Sequence, residues 1–104
     1  MVGTAHGRYK KAPKLNIERI GEIHKKTNAH LVLHGGSGVP DDQIKAAIDA
    51  GIRKINFATD LCYAFIDGYK ALDPTSAPLD IIMAKTSENV KAFAIEKIKL
   101  LDSI

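Results

Sequence analysis

Apolar residues along the chain fall into short runs and helical stripes, punctuated by glycine, proline and small polar residues. Ile17, Ile20 and Ile23 share one helical face, and Asn16 just before them is a residue type that caps helix N-termini. This spacing predicts a helix to about Thr27, weakened locally by Gly21. His30 to Leu33 reads as a strand, with Leu31 and Leu33 on one side and Val32 and His34 on the other. After the loop Gly35-Gly36-Ser37-Gly38, Asp41 is expected to cap a helix to Ala50. Ile44, Ala47 and Ile48 face inward in that helix, and Gly51 stops it. Arg53 to Ala58 is the next expected strand, with Ile55 and Phe57 on one face and Lys54, Asn56 and Ala58 on the other. Helices from about Asp60 to Ala71 and from about Leu79 to Leu101 follow, broken by Asp73-Pro74-Thr75-Ser76-Ala77-Pro78. Met1 to Thr4 reads as the stump of an earlier strand, and Gly7 to Lys14 as a loop containing Pro13.

The predicted order is strand, helix, strand, helix, strand, helix, helix. Such alternation implies an α/β fold with parallel strands and right-handed crossovers. Three parallel strands leave two open edges, and a parallel sheet normally needs cover on both faces. Three βα units make a little under half of a (β/α)₈ barrel, which takes about 250 residues. The expected architecture is therefore a partial TIM barrel, the last three βα units plus a C-terminal helix. Residues 1–104 are expected to form one C-terminal part of a barrel domain, its N-terminal part absent.

Composition narrows the function classes. The charge of +3 comes from lysines scattered along helical faces, often beside Asp or Glu, and no aromatic pattern for RNA accompanies them. Nucleic acid is therefore not an expected partner. Cys62 is the single cysteine, so no intrachain disulfide can form, which suits a reducing compartment. No apolar stretch approaches the roughly 20 residues that span a bilayer, and the N-terminal residues lack the pattern of a signal peptide. The expectation is a cytoplasmic protein with no membrane partner.

The candidate chemistry sits where strands end. His34 closes the run Leu31-Val32-Leu33 and opens a glycine loop; Gly3-Thr4-Ala5-His6-Gly7 is a simpler copy of that pattern. Imidazoles on neighbouring strand ends can converge on one ion at about 2.0–2.1 Å each, or can each cap a strand end through hydrogen bonds. His30 and His34 have the spacing of helical zinc ligands, but on a strand they lie roughly 13 Å apart, too far to share a metal. His30 is then a structural residue at the far strand end, and His24 a surface residue on its helix. Gly35, Gly36, Ser37 and Gly38 can offer N–H groups and a hydroxyl to an anion, or simply make a tight βα turn. Asn56-Phe57-Ala58-Thr59 closes the next strand, and phosphate sites of barrels lie most often in the loops after the seventh and eighth strands. Lys54 lies about 6.6 Å deeper than Asn56 and is expected to be a salt-bridged barrel-interior residue, not a Schiff base. Cys62 is expected to pack.

Gly3-Thr4-Ala5-His6-Gly7, Leu31 to Gly38, and Lys54-Ile55-Asn56-Phe57-Ala58-Thr59-Asp60 together resemble the class II, zinc-dependent fructose-bisphosphate aldolases, a group that includes tagatose-bisphosphate aldolases. The resemblance runs from Gly3 into the last helix. It implies a (β/α)₈ barrel with these strands as the sixth to eighth, and His6 and His34 as zinc ligands. It also implies that Gly7, Gly35, Gly36 and Ser37, with Asn56, Phe57, Ala58 and Thr59, surround the phosphate of dihydroxyacetone phosphate. Asn56 would orient the enediolate, and a monovalent cation lies near these loops in several members. Ala58, where some members carry aspartate, looks closer to the tagatose branch.

The implied reaction is reversible aldol cleavage of fructose or tagatose 1,6-bisphosphate to dihydroxyacetone phosphate and glyceraldehyde 3-phosphate. In the family a third histidine ligand and a catalytic aspartate come from a much earlier strand, and no residue here matches them. The chain alone is therefore expected to be inactive, and to self-associate or need the missing barrel segment. The competing expectations are a non-catalytic relic or partial-barrel module that binds phosphate or assembles with another chain, and another phosphate-binding barrel such as an isomerase or synthase.

Overall fold

The structure, a computed structural model, describes residues 2–73 and 75–102. Helices and strands follow in the order α1 (Ile17–Lys26), β1 (Leu31–Leu33), α2 (Asp41–Ala50), β2 (Ile52–Ile55), α3 (Thr59–Lys70) and α4 (Leu79–Leu100). The chain divides into two compact units, Met1–Thr59 and Asp60–Ile104. The fold is α/β, with a short parallel two-stranded sheet and helices.

In the first unit, Asn16 caps α1 as its sequence position predicts. Its side-chain oxygen accepts the Arg19 N–H at 3.0 Å. Helix α1 packs on α2, and α2 packs on β2. The core between them holds Leu15, Ile20, Leu33, Val39, Ile44, Ala47 and Ile52, all buried. The expected strand face is observed, with Leu33 buried while Val32 and His34 on the other side are exposed; of the expected α1 face Ile20 is buried, Ile17 half-buried and Ile23 exposed.

Helix α2 begins differently from expectation. Pro40, not Asp41, is the cap residue: its φ of −57° and ψ of 144° are non-helical, and its carbonyl accepts from Gln43 and Ile44 N–H at 3.1 Å each. Asp41 and Asp42 instead occupy the first turn, where carboxylates meet the positive end of the helix dipole. Gly51 ends the helix at φ 127°, donating its N–H to Ile48 O at 3.0 Å.

Strands β1 and β2 pair in parallel, Leu31 with Ile52, Val32 with Lys54 and Leu33 with Ile55. The register slips between the first two pairs, leaving Arg53 as the extra residue on β2. Its guanidinium Nη1 donates to Ile48 O in the last turn of α2 at 3.1 Å and to Ile52 O at the start of β2 at 3.0 Å. Strand β2 starts one residue earlier than expected and ends three residues earlier, because its partner runs out at Leu33.

The predicted first strand is not formed over Val2–Thr4. Gly3 has φ 108°, outside the extended region, and the Val2 carbonyl accepts the N–H of Asn16 at 2.9 Å instead of a ladder partner. The expectation of three parallel strands is corrected to two among the described residues. Met1 of that strand, and Pro74 of the expected helix break, lie outside the described residues.

In the second unit α3 and α4 approach closely at Gly68, where an added Cβ would lie 3.3 Å from the Thr86 Cα. Asn89 Nδ2 donates to Ala64 O at 2.9 Å. Thr86 is fully buried; its hydroxyl is satisfied within α4 by Ile82 O at 2.8 Å. The helix break is a local turn: the Asp73 carboxylate accepts Thr75 N–H at 2.9 Å and Thr75 O–H at 2.6 Å. Cys62, expected to pack, is exposed on α3.

Candidate active site

Parallel pairing brings the C-terminal ends of β1 and β2 to one edge, so the residues that follow them, His34 and Asn56, become neighbours. The backbone holds them there beyond the strands proper. Asn56 N–H donates to Leu33 O at 3.0 Å, and Gly36 N–H donates to Asn56 O at 3.0 Å. The Asn56 amide Nδ2 then lies 3.0 Å from Nδ1 of His34. Where the amide N–H donates, the accepting Nδ1 carries no proton.

His6 arrives from the N-terminal segment. Its ring and that of His34 meet edge to face, with centroids 6.1 Å apart and planes at 70°. The approach depends on Gly35, whose φ is 67° and whose Cβ, were there one, would collide with the Ala5 carbonyl. Only glycine lets the two histidine-bearing segments touch backbone to backbone.

His6, Gly7, His34, Gly35, Ser37, Asn56, Ala58 and Thr59 line one cavity of about 270 Å³. Gly36 and Phe57 from the same motifs do not line it. Gly36 faces β2, where an added Cβ would press on Ile55 Cγ2 and Phe57 Cε1, and its N–H is committed to Asn56 O. The cavity therefore gathers eight of the ten residues expected in a metal and phosphate site.

Among the described residues no group of three or more His, Cys, Asp or Glu is placed to hold a metal ion. Two imidazoles opening on one cavity fit two of the three protein ligands that a catalytic zinc uses. Lys54 is exposed and forms no salt bridge among the described residues, so the expected buried ion pair is corrected.

His24 and His30 lie at the other end of the strands. They line a separate cleft of about 390 Å³ with Lys25 and Arg53. His24 is exposed, as expected, yet its ring covers Gly51, where a Cβ would strike it. Motif reasoning passed over Tyr9. Its hydroxyl contacts Ala5 and Gly35, the residues flanking the two histidines, and no periodicity or spacing marks a tyrosine for that contact.

Comparison with known proteins agrees with this geometry. The chain is 55% identical over 69 residues to a sulfofructosephosphate aldolase of Alkalicoccus urumqiensis, covering 66% of this chain and 24% of that one. Among solved structures it is similar to the YdjI aldolase of Escherichia coli K12, with 39% identity and a TM-score of 0.79 over 86% of this chain and 34% of that one. It also shares its fold with a fructose-bisphosphate aldolase of Campylobacter jejuni, with 24% identity and a TM-score of 0.76 over 99% of this chain and 39% of that one. The chain thus spans between about a quarter and two-fifths of the length of these relatives. The family profile for class-II fructose-bisphosphate aldolase matches residues 1–104, and the chain belongs to that family.

Proposed function

We propose that this chain supplies the ketose-phosphate half of a zinc-dependent aldolase site within a (β/α)₈ barrel, of which it forms the last βα units and the C-terminal helix. The complete site would cleave fructose or tagatose 1,6-bisphosphate reversibly to dihydroxyacetone phosphate and glyceraldehyde 3-phosphate. One observation carries the reading: His6, His34, Asn56 and the glycine loop converge on one cavity at one end of the parallel strands. Barrels place their chemistry at that end.

His6 and His34 would hold the zinc. When bound it supplies a Lewis acid for the substrate carbonyl. The chain's own residues bind and orient. Gly35 and Ser37, with Gly7 and Thr59, ring the position proposed for the phosphate, and holding that group fixes the reacting carbons. Asn56, already beside His34, would turn its amide toward the oxygens on those carbons. A monovalent cation near these loops would add charge against the phosphate. The relative named for sulfofructosephosphate shares a ketose phosphate with the bisphosphate substrates, so the portion of substrate met by this chain is the shared one.

With His6 and His34 committed to the zinc, no other described residue of the cavity is suited to acid–base proton transfer, and two ligands leave zinc short of its usual three. The isolated 104-residue chain is therefore inactive in aldol cleavage, and clear turnover by the purified chain overturns this part of the reading. Zinc binding tests the rest. Equilibrium dialysis should show zinc retained by the native chain and lost by the His6→Ala/His34→Ala double variant; equal retention by both refutes the site.

A non-catalytic module that assembles with another chain is the second reading. One sheet face favours it: Val32 and Lys54 are exposed, where a parallel sheet is normally covered on both sides.

A further inference from the structure

We propose that Tyr9 is a positioning residue for the histidine pair: its hydroxyl ties the chain just before His6 to the chain just after His34, and so sets the separation of the two imidazoles. Tyr9 Oη accepts the N–H of Ala5 at 2.8 Å. It lies 2.7 Å from Ala5 O and 2.9 Å from Gly35 O. A phenol has one proton, so the two carbonyls share it, one in the His6 segment and one in the His34 loop. The hydroxyl therefore satisfies both backbone groups of Ala5, which lies outside the strand ladder.

The ring is seated as firmly as the hydroxyl. Gly38 lies against it, with an added Cβ only 3.1 Å from Tyr9 Cδ2. Gly35 meanwhile allows the Ala5 carbonyl into direct contact with the loop. Ala5 and Gly35 each adjoin one of the two histidines, so a shift at this bridge is passed to both rings through one residue of backbone. Losing the hydroxyl leaves three backbone polar atoms to find water, and water would part the segments.

Tyr9→Phe removes the oxygen and keeps the ring. The first arm uses the metal-free 104-residue chain and does not depend on the zinc reading. Cross-relaxation between the His6 and His34 ring protons should be seen in the native chain and lost in Tyr9→Phe, while a cooperative unfolding transition persists. The second arm rests on the proposed zinc ligands and uses Co²⁺ alone as the probe. Affinity should fall about tenfold or more in Tyr9→Phe, the scale on which groups that orient metal ligands act. Ile44→Val, a core substitution on α2 away from the site, should lose stability yet keep both the ring contact and the Co²⁺ affinity.

Persistence of the inter-ring signal in Tyr9→Phe overturns the proposal. So does loss of the unfolding transition in that variant, which would make the hydroxyl a requirement of the fold instead of the site. A native chain that shows the ring contact but binds no Co²⁺ overturns the zinc reading and leaves the proposal supported by the first arm.

Discussion

Two glycines of the first unit make opposite demands on a side chain. At Gly35 the backbone is left-handed and the Ala5 carbonyl fills the space a Cβ would need. Gly35→Ala should therefore destabilise the chain by about 1–3 kcal/mol and separate the two histidines, seen as a lower urea midpoint and a lost ring contact. Gly21 sits inside α1 with open space around it. Gly21→Ala should stabilise by about 0.5–1 kcal/mol, through helix propensity and a less flexible unfolded chain. An unchanged or lowered midpoint would contradict that. Asp73 makes a pH-dependent contribution of its own kind. Hydrogen bonds from the Thr75 hydroxyl and backbone N–H lower its pKa below the usual carboxylate value. A lowered carboxylate pKa stabilises the folded turn above the unfolded value and is lost as pH falls through the folded one. The Thr75 amide resonance should accordingly stay constant through neutral pH and move only in acid. The gathering of the histidines and glycines around one cavity was readable because special backbone conformations and ligand types restrict residue choice. The Tyr9 bridge was not, since any hydroxyl can reach a backbone carbonyl and only the fold decides which one does.

Among the elements, α1 and α2 follow from periodicity and punctuation: Asn16 before Ile17, Gly51 after Ala50, and isoleucines at helical spacing between. Asn16→Ala removes the side-chain acceptor for Arg19 N–H but keeps the backbone bond to Val2. It should cost about 1 kcal/mol in chemical unfolding, as N-cap losses generally do; a cost near zero would mean solvent replaces the cap freely. The strands were legible in place but not in extent, because a strand is bounded by its partner as well as by its own residues. Asn56 to Ala58 have a strand-like pattern, yet β1 has already ended at Leu33 and the ladder stops with it. Val2 to Thr4 carry the same lesson. Their residues permit extension, but the Val2 carbonyl meets the Asn16 N–H, and the backbone of Ala5 just beyond them meets a tyrosine hydroxyl, not a neighbouring strand.

For the whole molecule, the burial pattern argues for association. Exposed large apolar side chains are numerous for a chain of 104 residues, and in the second unit Leu79 is 73% exposed. On α3, Ile66 and Tyr69 face solvent; on α4, Ile81, Met83, Ile95 and Ile98 do too, while Ile82 and Thr86 are the buried residues of that 22-residue helix. Single exposed apolar residues are ordinary, but a helix whose apolar positions surround it is built for cover on more than one side. In the first unit Val32 leaves one sheet face in the same condition. The expectation is self-association that strengthens with concentration, or association with another chain. Light scattering over a rising concentration series should give a mass above that of one 11.3 kDa chain. Glutamate placed at Ile81 and Ile95 together, both already exposed, should return the mass toward one chain without lowering the unfolding free energy by more than about 1 kcal/mol. A single-chain mass for the native protein at the highest concentration would mean these faces tolerate water, and the case for an assembling partner would fall with it.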